Sequence, residues 1–197
     1  MNHLCQGWVH DILETEADVV CLLDPKLHID RCNPGWDRFA AENGGTGVSS
    51  ADVRGRYIFD FIPDVLVTFY EQKYSTALHS PGWTGFDYSC NSPEVLRVFH
   101  MSMHPVEGSY LLVVNSQLAD QRSPLPARNS RVPESAYVSP DGVITMCAHC
   151  RRTRQEQHPS TWEWVPQFVR DLGRKASPGL CPMCVGYFYP SRESLPY

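Results

Sequence analysis

The feature that most constrains this chain is a set of four cysteines in two C-x-x-C pairs, Cys147/Cys150 and Cys181/Cys184, with thirty residues between the pairs. A C-x-x-C turn holds two sulfurs close enough to share one ion, and its backbone N–H groups stabilise the thiolates. Two such turns brought together supply the four ligands of a tetrahedral zinc site, with Zn–S near 2.3 Å. About fifty residues bury too little apolar surface to fold alone. A structural zinc contributes on the order of 10 kcal/mol to such a fold. The expectation is that Cys147, Cys150, Cys181 and Cys184 converge on one structural Zn²⁺. Between the pairs, "TWEWVPQFVRDLG" spaces Trp162, Val165, Phe168, Val169 and Leu172 three and four apart. That period predicts a short helix over the knuckles, with Pro166 in its first turn.

Other uses of paired cysteines fit less well. Thioredoxin-like chemistry needs one C-x-x-C at a helix start within a larger βαβ frame, and here there are two pairs. A thiol redox switch using Cys147/Cys150 or Cys181/Cys184 stays open as the alternative reading. A c-type haem site needs His directly after the second cysteine, where Arg151 stands. The chain opens without a basic start and apolar core, so no export signal is expected. Eight cysteines without one point to a reducing, cytoplasmic compartment, where thiols serve as ligands more often than as disulfides. No apolar run is long enough to span a bilayer.

Charge divides the chain. Residues 1–120 carry 7 basic and 16 acidic side chains, a net −9, whereas residues 147–197 carry 7 and 4, a net +3. Two units with different surfaces are expected, and the acidic balance argues against nucleic acid as a partner of the whole chain. Nucleic-acid binding by the basic tail, around Arg151, Arg152 and Arg154, is the second alternative, against a solvated charge run. The stretch between the units, 119–135, is rich in Pro, Arg and Ser and reads as a linker. The domains are therefore 1–118, a linker at 119–135, and 136–197.

In the first domain, "ADVVCLLDPKLHIDRCN" reads as two strands around a turn. Asn33 then caps a helix opened by Pro34 and ended by Gly44 and Gly45. A second helix, over residues 64–80, places Leu66, Phe69, Tyr70 and Tyr74 at helical spacing. Three strands follow at 84–90, 95–104 and 109–116. In the middle one Phe99, Met101 and Met103 alternate with Val98, His100, Ser102 and His104. The order gives an α+β fold, an antiparallel sheet with helices on one face.

These residues also carry a resemblance. "NPGWDRFAAENGG" (33–45), "GRYIFDFI" (55–62) and the Cys90–Asn91–Ser92–Pro93 turn before the last two strands resemble a bacterial subgroup of PAS sensory domains, over residues 8–118. The resemblance implies a five-stranded antiparallel sheet, helices around a small central cavity, and a role in sensing a small ligand or redox state. It implies a signalling protein as partner and pairing of two copies through the N-terminal helix. It supplies no ligand: the helix at 34–45 has no reactive cysteine of the flavin-binding kind, and His28, His79, His100 and His104 stand in no haem signature. Cys21, Cys32 and Cys90 read as small buried hydrophobes.

Residues 146–190 are similar to a short C-x-x-C…C-P-x-C tail of bacterial signalling proteins, with Pro178 where that pattern has His. If that His supports the metal, the site here is arranged differently. No phosphate loop, nucleophile elbow, kinase or cyclase signature occurs, so no enzyme activity is expected. A sensor or adaptor acting through a partner protein, with a small four-cysteine, zinc-ribbon-like module, is the reading carried forward.

Overall fold

The computed structural model describes residues 3–92, 95–122, 133–170 and 175–190. It divides into two compact units, one of residues 1–87 and 99–118, the other of residues 88–98 and 119–197. The tip of one hairpin of the first sheet therefore groups with the cysteine-bearing segment.

The first unit starts with helix α1 (His3–Thr15), then strands β1 (Val19–Leu23) and β2 (Ile29–Cys32). Helices α2 (Pro34–Glu42), α3 (Ser50–Val53) and α4 (Asp64–Leu78) follow, with a 3₁₀ turn at Ile58–Phe61. Strands β3 (Thr84–Ser89), β4 (Val95–Val106) and β5 (Tyr110–Arg122) complete it. The strands form one sheet in the order β2-β1-β5-β4-β3. The two chain-end strands, β1 and β5, are thus central and antiparallel, with Val20 opposite Val114 and Leu22 opposite Leu112.

Strand pleating sends alternate side chains to opposite faces. Cys21, Leu23, Leu111 and Val113 share the face on which Phe99, Met101 and Met103 are buried. Helices α2 and α4 cover that face: Phe39 meets Phe99 edge-on at 5.6 Å, and the Tyr74 hydroxyl lies 3.9 Å from the Met101 sulfur. Phe59, Phe69 and Phe86 extend the aromatic filling through edge-to-face contacts. These rings stand between the helices and the sheet, on the side where the resemblance implies a small cavity. The opposite face gains a layer of its own, because Val9 and Leu13 of α1 pack with Val20, Leu22 and Leu112.

Asn33 does more than cap. Its Oδ1 accepts from Trp36 N at 3.0 Å and from Val20 N at 2.9 Å. Its Nδ2 donates to the carbonyls of Glu16 and Asp18 at 3.0 and 2.8 Å. Next to it, Gly35 is required by close approach, since a Cβ there would collide with the Asp18 carbonyl oxygen.

The strand β5 continues to Arg122, four residues into the stretch read as linker. Residues 123–132 lie outside the described residues, so the linker itself stays an expectation. In the second unit a 3₁₀ turn at Glu134–Ala136 leads to β6 (Ile144–Cys147), β7 (Thr153–Arg154) and β8 (Trp162–Glu163). Helix α5 (Pro166–Arg170), strand β9 (Ala176–Gly179) and helix α6 (Pro182–Phe188) end it. The strand order is β8-β7-β6-β9, with β6 and β9 parallel.

The helix predicted from Trp162 onward is shorter than its period suggests. Trp162 and Glu163 pair with Arg154 and Thr153 as strand, and Pro166, lacking an N–H, opens the helix where no intrahelical partner is needed. Val165, Phe168 and Val169 pack with Tyr137, Ile144 and Met146 in a small core of their own rather than over the knuckles. Leu172 lies outside the described residues.

Candidate metal centre

The parallel pair explains how cysteines thirty residues apart meet. Parallel strands need a crossover of a dozen or more residues, here built from β7, β8 and α5. Their carboxyl ends then lie side by side, with Cys147 opposite Gly179. Each strand runs straight into a C-x-x-C turn at that end. Gly179 permits the approach: a Cβ there would stand 3.0 Å from the Thr145 side chain and 3.3 Å from the Trp162 ring.

The first knuckle closes through Arg151 N donating to Cys147 O at 2.9 Å, and Cys147 N donating to Arg152 O at 2.7 Å. Arg151 takes the left-handed conformation, φ 63°, that this turn requires. In the second, Cys181 stands at the N-cap of α6 and Pro182 at its first position, with Val185 N bonded to Cys181 O at 2.9 Å.

The four sulfurs are buried and lie within 4.8 Å of one another. Cys150 Sγ and Cys181 Sγ are 3.7 Å apart. A tetrahedron of ligands about 2.3 Å from a centre has edges of about 3.8 Å, so this spacing is close enough for a single metal ion. Trp162 and Phe188 flank the cluster. Phe188 also stacks on the buried His149 ring, 4.0 Å between centroids.

The thiols do not behave alike. A hydrogen bond from Cys150 holds the Cys147 thiol down to about 4, helped against burial by N–H groups of Cys150, Cys181 and His149. That same bond, with burial, pushes Cys150 far up. Burial first, and then the Cys147 charge, raises Cys184 to about 12. The pocket thus settles one thiolate by itself and resists the next, as expected where several like charges share a dry space. A divalent cation at the centre relieves that conflict.

Other singled-out residues lie elsewhere. Pro178 is exposed on β9, an edge strand where a missing N–H is tolerated, and pairs with Met146. A side chain at that position starts outside the buried sulfur cluster. His100 Nδ1 meets Asp87 Oδ1 at 2.6 Å, and the exposed Trp83 stacks on His104. His28 lies 3.5 Å from Asp24, and His79 bonds to Ser75 O. None of these joins a group of three metal-ligating side chains among the described residues.

Two placements escape sequence reading. Cys21 and Cys32 stand opposite each other on β1 and β2, both raised by burial, Cys21 to about 12. Asn91, in the turn between β3 and β4, donates to the Cys150 carbonyl at 2.9 Å. No local spacing signals either contact.

The first unit, with its β2-β1-β5-β4-β3 sheet and helices inserted between β2 and β3, has a PAS-like fold. No family model and no curated protein matches the sequence. Solved structures that resemble it are of low identity. A LOV protein from Rhodobacter sphaeroides aligns with a TM-score of 0.45 at 14% identity, over 60% of this chain and 69% of that one. A PAS domain from Colwellia psychrerythraea gives 0.43 at 12%, over 57% and 96%. The PAS domain of a Cronobacter turicensis quorum-sensing receptor, in complex with C12:0, gives 0.38 at 16%, over 52% and 95%. No helix among the described residues is long and apolar enough to cross a membrane.

Proposed function

We propose that this chain is a signal-transduction sensor or adaptor of the bacterial cytoplasm. Its PAS-like unit responds to a small ligand or to redox state, and the response passes to a partner protein rather than to a catalytic site of its own. Zinc, held by Cys147, Cys150, Cys181 and Cys184, is the structural ion of the second unit. The observation that carries the metal reading is the meeting of four buried sulfurs within 4.8 Å at the ends of two parallel strands. An all-sulfur set suits zinc, and also iron or copper(I). Zinc is the ion of this reading because two C-x-x-C turns around a closed, four-ligand site are the usual setting of structural zinc.

Elemental analysis with an absorption spectrum of the purified protein tests this directly. One zinc per chain, with thiols that stay protected from an alkylating reagent until chelation, is the expected result. A visible iron–sulfur or haem band would replace zinc. Affinity capture from cells that brings down no signalling protein would remove the adaptor role.

One observation favours a second reading, a thiol redox switch. Cys147 is held as a thiolate and Cys150 lies 3.7 Å from Cys181, which suits disulfide exchange. Metal-free protein that reduces insulin would establish that reading in place of the first.

A further inference from the structure

We propose that Asn91 is a positioning residue of the metal centre, and that through it metal loading sets the order of the β3–β4 turn. This rests on the metal reading above.

The turn is closed locally by Cys90 N to Arg97 O at 3.1 Å and Ser92 N to Val95 O at 2.9 Å. Asn91 uses both ends of its amide. Its Oδ1 accepts from Arg97 N at 2.8 Å, inside the hairpin. Its Nδ2 donates to Cys150 O at 2.9 Å, fifty-nine residues along the chain. One end needs an acceptor and the other a donor, so the amide can sit only one way round.

The accepting carbonyl belongs to the peptide between Cys150 and Arg151. That peptide links a sulfur ligand to a residue in the left-handed region, φ 63°, which a residue other than glycine adopts only where its surroundings hold it. Fixing the carbonyl fixes the exit from the first knuckle, and with it the aim of the Cys150 side chain. The turn also meets the knuckle electrostatically, since the half-buried Cys90 thiol feels both Arg97 and Arg151.

The consequence is linkage. An ion that anchors Cys150 keeps the carbonyl in place for Asn91, and Asn91 in turn holds the Arg97 amide. Releasing the ion loosens all three. Linkage is reciprocal, so a change that shifts the hairpin alters the hold on the ion. The turn that ends one sensor hairpin thereby reports whether the metal centre is loaded.

The test uses the full chain loaded with zinc. Zinc release to a chromophoric chelator is timed for wild type, Asn91→Asp and Asn91→Ala. Asn91→Asp keeps an acceptor for Arg97 N, loses the donor and sets a negative charge against the Cys150 carbonyl, whereas Asn91→Ala loses both ends of the amide without adding charge. Both variants should release zinc about ten- to a hundredfold faster, the usual effect of losing an outer partner of a ligand. In parallel, amide hydrogen exchange on wild type should show Arg97 losing protection on chelation while Val20 and Leu112 keep theirs. That second measurement needs no variant and stands even if the substitutions disturb folding. Wild-type release rates in both variants, or Arg97 protection indifferent to chelation, overturn the proposal. A wild-type chain that takes up no zinc overturns the metal reading as well, and so is told apart from failure at Asn91 alone.

Discussion

Two asparagines, far apart in sequence, use the same property of the amide: a donor and an acceptor on one rigid group. Asn33 is almost fully buried and makes four hydrogen bonds, to Val20 N, Trp36 N and the carbonyls of Glu16 and Asp18. It therefore fastens the entry to β1 and the start of α2 in one step. Removing it strands the buried Val20 amide and takes a donor from the Glu16 and Asp18 carbonyls, while Trp36 N keeps the Asn33 backbone carbonyl at 3.1 Å. Each buried orphan costs about 1–3 kcal/mol unless water reaches it. Asn33→Ala should lose about 3 kcal/mol in urea unfolding, while a surface change such as Glu42→Ala should shift it by about 0.5 kcal/mol or less. An Asn33→Ala chain as stable as wild type would mean that water replaces these bonds. The capping half of this role follows from the Asn-Pro pair itself. The bond to Val20, thirteen residues earlier, does not, because it depends on β2 lying beside β1.

At the scale of elements, the decisive arrangement is the parallel pairing of β6 with β9. Their ends deliver the two C-x-x-C turns to one place, and the pocket so formed holds one thiolate easily and others poorly. This has a sign that can be checked. Near pH 7 Cys147, held down to about 4, is already ionised, whereas Cys150 and Cys184, pushed up, keep their protons. Zinc binds thiolates, so loading must expel at least those two protons. Apparent zinc affinity should rise with pH, by about a hundredfold per unit for two protons, and fall as pH drops. Calorimetry in buffers of different ionisation enthalpy measures the proton count directly. Release of fewer than two would show that the cluster is already largely ionised before the ion arrives. The two C-x-x-C spacings made the four cysteines legible as a set, yet strand direction decided that they meet. The helix expected over the knuckles became strand at Trp162 because pairing with Arg154 competes with helical period in so short a segment.

For the whole molecule, the two units keep separate cores. One is the sheet with α1 and the aromatic layer; the other is a handful of side chains around Tyr137, Ile144 and Phe168 beside the sulfurs. The second core is small, and on the metal reading the ion would supply much of its stability. Chelation should therefore abolish hydrogen-exchange protection at Ile144 and Met146 and leave that of Val20, Leu22 and Leu112 in place. Loss of protection throughout would show the units fold as one cooperative body. What the residue order alone determined is local: the strands of period two, the cap at Asn33, the aromatic face of α4, and the two C-x-x-C pairs. These depend on spacing within a turn or a strand, which the backbone's own geometry sets. What only tertiary structure decided is non-local: the burial of α1 against the back of the sheet, the facing of Cys21 and Cys32, the convergence of the knuckles, and the bond from Asn91 to Cys150. Each of these depends on which strands become neighbours. That choice balances loop closure against burial over the entire chain, and no short window of sequence contains it.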